Sequence, residues 1–143
     1  MSEIAQITDA LASELNAGSF SETFTAERAW QPVFEPGDVD ALQVTVVPRS
    51  LSIINATRQH SFFDYSIDVG VQKKLGADPD PSEIDALDSL TEEVADALRL
   101  ARLAGFPTAA FFSIEREPIV AREHLEELRI FTTVLTITYR VKR

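Results

Sequence analysis

Two long stretches of period-two alternation decide how this chain can fold. From Phe62 to Leu75, the residues Phe63, Tyr65, Ile67, Val69 and Val71 alternate with Asp64, Ser66, Asp68, Gly70 and Gln72. From Arg129 to Lys142, Phe131, Leu135, Ile137, Tyr139 and Val141 share one parity, while Thr132, Thr136, Thr138 and Arg140 share the other. Successive side chains of a strand point to opposite faces, so each stretch is a strand with one apolar face and one polar face. A sheet built this way is mostly antiparallel, and its apolar face needs a cover.

The cover is helical. Ile4, Ile7, Leu11 and Leu15 recur at helical spacing, with Ser2 placed as an N-cap and Gly18 as a C-terminal stop. A second helix begins at Asp80-Pro81, an N-cap followed by proline at the first helical position. Its stripe is Ile84, Leu87, Leu90, Val94, Leu98 and Ala101, and Gly105 and Pro107 stop it. Its acids gather early and Arg99 and Arg102 come late, which suits the helix dipole.

Three further strands are expected. Phe20–Trp30 reads as one, with Phe24, Ala26 and Trp30 on a shared parity. Gln31–Asp40, with Pro32, Pro36 and Gly37, reads as a loop. Ala41–Val47 is a strand ended by Pro48, and Arg49–Ser61 has no period and reads as a long loop at the tip of an antiparallel pair. Gly76–Asp80 is a turn. Thr108–Glu117 is a strand with Ala110, Phe112 and Ile114 on one parity and Phe111 on the other, broken by Pro118. Ile119–Leu128 is a loop with a helical turn around Glu123–Glu126. The order α-β-β-β-α-β-β makes one α+β domain over residues 1–143, a two-layer sandwich of about five strands with two helices on one face.

Composition narrows the function. The 143 residues contain no cysteine, which removes disulfides, thiolate metal sites and a cysteine nucleophile. The N-terminus lacks the basic and apolar regions of a signal peptide, and no apolar run approaches the roughly 18–20 residues of a membrane span. We expect synthesis in the cytoplasm and no membrane partner. The net charge of −10 opposes a grip on nucleic acid, because such affinity rests largely on cations that neutralise phosphates.

No catalytic constellation emerges. Neither His60 nor His124 has a second histidine or a cysteine at ligand spacing, so His124 reads as part of a solvated turn and no metal is expected. Asp64 and Asp68 share a sheet face, where they mark a hydrophilic surface rather than an acid–base pair. Phosphate loops, nucleophile elbows and dinucleotide fingerprints are absent, and no cofactor or enzyme activity is expected.

The charge is segregated. Eight acids and no base lie between Asp78 and Asp96, while Pro48–His60 holds Arg49, Arg58 and His60 with no acid. The chain ends Arg140-Val141-Lys142-Arg143. Opposed patches of this kind suit docking between copies. The candidate interface sets Arg49, Arg58, His60, Arg140, Lys142 and Arg143 against Asp85, Asp88, Glu92 and Asp96.

Three segments carry a resemblance: Val44-Thr45-Val46-Val47-Pro48-Arg49, then Asp64 through Leu75, then Arg129 through Arg140. In size, element order and terminal strand the chain resembles the small tail-terminator and tail-completion (neck) proteins of long-tailed bacteriophages, from about Ala41 onward. That resemblance implies a structural virion protein without enzyme activity, made in the host cytoplasm. It implies a homo-oligomeric ring, commonly a hexamer, at the head-proximal end of the tail tube, with tube and neck proteins as partners. Six copies at −10 each would carry −60, and charge lining a channel would let DNA slide through without sticking. A head–tail connector or adaptor, and a non-viral cytosolic protein-binding module, are the alternatives.

Overall fold

The computed structural model describes residues 1–31, 41–76 and 80–143, apart from the side chain of residue 128. Residues 32–40 of the expected 31–40 loop, and most of the expected turn before Asp80, lie outside the described residues. Two helices and five strands follow in the order α1 (Glu3–Ala17), β1 (Ala26–Arg28), β2 (Gln43–Asn55), β3 (Ser61–Lys74), α2 (Pro81–Leu100), β4 (Ala110–Arg116) and β5 (Ile130–Lys142). They form the expected α+β arrangement, with a single sheet of order β1-β2-β3-β5-β4. Only β1 and β2 run parallel; the other neighbours are antiparallel.

The two alternating stretches become the central strands. β3 pairs with β5 from Phe62↔Lys142 to Lys74↔Ile130 without a break. Tyr65, Ile67, Val69 and Val71 are buried, as are Phe131, Leu135, Ile137, Tyr139 and Val141. Val44 and Val46 of β2 join them. Ile7, Leu11 and Leu15 of α1 and Leu87, Leu90, Val94 and Leu98 of α2 complete the core. The buried threonines Thr8 and Thr91 return their hydroxyls to the carbonyls of Ile4 and Leu87, so neither brings an unmet polar group into the interior.

Both helix starts are those read from the sequence. Ser2 Oγ accepts from the Ala5 amide, and Asp80 Oδ1 accepts from the Ser82 amide at 3.0 Å ahead of Pro81. Gly18 does close α1, but in extended backbone (φ −78°, ψ 161°) rather than the left-handed conformation expected of a glycine stop. Its lack of a side chain serves packing: a Cβ there would come within 2.7 Å of the Phe20 ring.

Three strand boundaries depart from expectation. Phe20–Trp30 yields only the three residues of β1. Phe20 and Phe24 instead stack on each other at 5.3 Å and pack against the core as a coil. The Asn16 side chain fixes β1, donating to the Ala26 carbonyl and accepting from the Ala26 amide as a peptide group would. β2 does not stop at Pro48 but runs on to Asn55, so most of the expected loop is strand and the connection shrinks to residues 56–60. A register shift between Pro48 and Ser50 absorbs Arg49 as a bulge. In β4 a second shift, between Phe111 and Ser113, places Phe111 and Ile114 on the core side and leaves Phe112 53% exposed.

The expected turn after Pro118 is a five-residue π-helical turn, His124–Leu128, closed by Arg129 at φ 54°. Among the described residues no helix is long and apolar enough to cross a membrane.

Candidate functional site: an open sheet edge and an uncovered face

β1 covers β2 only along Val44–Val46, and the Ala29 amide makes the last bond, to the Val46 carbonyl. Beyond that point no strand among the described residues pairs with the outer edge of β2. The near part of this edge is blunted by Pro48 and the Arg49 bulge. The far part, Ser50-Leu51-Ser52-Ile53-Ile54-Asn55, has no charge and no proline. Opposite Tyr65 and Phe63, Leu51 and Ile53 lie on the helix side of the sheet, yet they are 47% and 57% exposed. Ile54, opposite Phe62 on the other face, is 48% exposed. An exposed apolar edge strand is a template for pairing, and native chains rarely leave one bare.

The hairpin turn beside it is ordered by Thr57. Its Oγ1 accepts from the amides of Gln59 and His60, and the amides of Ala56 and Thr57 both donate to the His60 carbonyl. His60 Nδ1 lies 3.4 Å from the same hydroxyl, so His60 belongs to the architecture of the turn. Arg58 stands exposed at its tip.

The remaining basic candidates fall into two groups. Arg143 and Ser61 exchange backbone hydrogen bonds, which puts the basic C-terminus at the base of the hairpin turn. Lys142 is exposed there, whereas Arg143 pairs with Glu3 and stacks over Phe63. Arg140 is built into the uncovered face. Its guanidinium donates to both Asp64 oxygens at 2.8 and 3.0 Å, between the rings of Phe62 and Phe112 at 4.5 and 4.2 Å. The hydrogen bond from Arg140 to Asp64 raises the arginine pKa further. Arg49 reaches Asp68, which also accepts from the Thr136 hydroxyl at 2.7 Å. The two aspartates are thus engaged in cross-strand pairs on the polar face.

The acidic candidates form one stripe of α2. Asp85, Asp88, Glu92 and Asp96 are spaced three or four residues apart and share a side of the helix. Asp88 meets Arg116 of β4 at 2.7 Å, which turns that stripe toward the β4 end of the sheet. Glu93, on the opposite flank, receives the Ser21 amide and hydroxyl near the end of α1. Asp96 pairs with Arg99 one turn on, while Asp85 and Glu92 are exposed. The structure therefore holds acid and base apart: the hairpin turn belongs to one end of the strand order, the acidic stripe to the other.

A feature that sequence reading missed lies on the uncovered face. The π-helical turn folds back over the sheet, and His124 Nδ1 meets Thr132 Oγ1 at 2.9 Å. Beneath it is a groove of about 310 Å³ lined mainly by apolar surface from Thr45, Val47, Gly70, Val134, Ala121 and His124. The only signal in the sequence was the helical turn itself; its docking onto Thr132 has no local signature. Among the described residues no three His, Cys, Asp or Glu side chains are grouped to hold a metal ion. Comparison of the chain with protein-family models finds no match, and comparison with curated proteins finds no relative.

Proposed function

We propose that this chain is a structural subunit that assembles with copies of itself into a ring, and that the ring terminates a bacteriophage tail at its head-proximal end. The observation that carries the assembly reading is the apolar stretch Ser50–Asn55 on the outer edge of β2, which no strand among the described residues covers. A solitary molecule would leave three large apolar side chains and a row of backbone groups in water there. Segregated charge supports contact between unlike surfaces, and the resemblance of the β2, β3 and β5 segments to tail-terminator and neck proteins supplies the biological setting. In that setting the partners are the tail tube and neck proteins, the location is the virion, and the chain performs no catalysis. The net charge of −10 per copy favours passage of DNA over its capture.

Native mass spectrometry and negative-stain microscopy of the purified protein test this. Rings, with six copies expected, that seat on the ends of tail tubes support it. A monomer at high concentration, with no ring on adding tail tubes, overturns it. Arg58→Glu is expected to weaken assembly and leave the fold of the subunit intact. Arg49→Glu would set a carboxylate against Asp68 and is the less clean variant.

One observation favours a second reading, a protein-binding module. The groove beneath His124 is roomy and largely apolar, enough to receive one side chain of a partner. A thermal shift on titrating a neck or host protein, abolished by Val134→Lys, would identify it.

A further inference from the structure

We propose that β4 of one copy adds to the open stretch of β2 of the next, so that the sheets of neighbouring subunits become continuous. This rests on the assembly reading above and specifies the contact that makes it.

The strand order is the first support. Among the described residues the sheet ends in β1 and β4, but β1 covers only Val44–Val46, so along Ser50–Asn55 the border opposite β4 is β2 itself. An edge that pairs with a different edge makes a head-to-tail contact, the kind that closes into rings. Direction is the second. Along the order β2-β3-β5-β4 every neighbour is antiparallel, so β4 runs opposite to β2 within one molecule. When copies stand in the same orientation, β4 of one meets β2 of the next antiparallel, and the alternation of the sheet continues across the boundary.

Length and chemistry agree. β4 has 7 residues, and Ser50–Asn55 offers a straight run of about 20 Å at the usual rise per strand residue. The β2 stretch carries no charge to repel an added strand. Main-chain bonds would supply affinity, and Leu51 and Ile53 on the helix side, with Ile54 and Phe112 on the other, would be covered.

Because the chain contains no cysteine, single thiols report on the contact without interference. A Ser52→Cys chain is mixed with a Ser113→Cys chain and treated with a short bismaleimide. Both positions face the polar side of the sheet, opposite Asp64 and Thr138. The expected product is a dimer containing one of each, formed by neither variant alone. An antiparallel ladder also requires Ser50→Cys to favour Glu115→Cys, both on the polar face. Ile53→Lys, at an exposed position that the fold does not depend on, is expected to weaken assembly by at least about tenfold with the melting temperature of the monomer unchanged. Self-linking of Ser52→Cys would mean a two-fold contact and overturn the proposal. Rings that form without any β2–β4 product would overturn this contact and leave the assembly reading standing. Absence of any assembly would overturn both.

Discussion

Tyr65 and Tyr139 sit directly opposite each other on β3 and β5, both buried, and their hydroxyls meet different fates. Tyr65 donates to Glu3 at the start of α1, tying that helix to the sheet. The Tyr139 hydroxyl is buried with no hydrogen-bond partner among the described residues. Removing a satisfied hydroxyl loses a bond, whereas removing an unsatisfied one relieves a desolvation cost. Tyr65→Phe is expected to destabilise by about 1 kcal/mol, and Tyr139→Phe to be neutral or stabilising by up to about 1 kcal/mol. Urea midpoints of the two variants check this; equal losses would mean that the Tyr139 hydroxyl is bonded in solution. Arg140 offers a third case. Its planar group matches the Asp64 carboxylate and two aromatic faces at once, so Arg140→Lys is expected to lower the urea midpoint even though the charge is kept. Denaturation of the same variant in high salt tells geometry from charge, since a loss of packing and bidentate bonding survives screening.

The helices and central strands were legible in the sequence because each follows one uninterrupted period. β3 alternates from Phe63 to Gln72 and β5 from Leu135 to Lys142, and α2 carries its cap, stripe and dipole in order. The parts that eluded reading share a cause. In β2 the core side is held by Val44 and Val46 before the bulge and by the side of Leu51 and Ile53 after it, so the parity changes from even to odd. In β4 the bulge at Phe112 does the same between Ala110 and Ile114. One extra residue inverts every later side chain, and a period search then reports a loop or the wrong face. β1 failed differently: its length is decided by the Asn16 side chain and the stacked phenylalanines, which are tertiary events. Of the candidate interface residues, Arg58, Lys142, Asp85 and Glu92 are exposed, whereas Arg49, Asp88, Arg140 and Arg143 pair internally through contacts no spacing reveals. Element ends can be weighed separately. Asp80→Ala removes the cap of α2 and is expected to lower the thermal midpoint, with an earlier loss of helical signal on heating.

For the molecule as a whole, pH acts through few groups. Burial, then the hydrogen bond to Glu3, pushes the Tyr65 phenol up from 10.0 to about 12. Burial, with the nearby Glu14 charge, raises Tyr139 as well. A pKa raised by folding means that the folded state prefers the protonated phenol. The stability tied to it is complete below the unfolded value near 10 and is lost as pH climbs through the folded value. Asp80 has the opposite sign: its bonds to the Ser82 amide and side chain lower its pKa, so its contribution is present above its ordinary value of 3.8 and fades as pH falls through the folded value. The thermal midpoint is expected to drop between about pH 10 and 12, with absorbance of ionised tyrosine appearing together with unfolding rather than before it. Ionisation of both phenols in the still-folded protein would contradict that coupling.

A sheet whose two borders are unlike gives any border-to-border association a direction. A molecule spoiled on one border alone remains competent on the other, so it can join a growing row but offers nothing for the next member. Small amounts of such a half-blind molecule would leave rows unclosed, and mixing two kinds, each blind on a different side, would produce pairs and nothing larger.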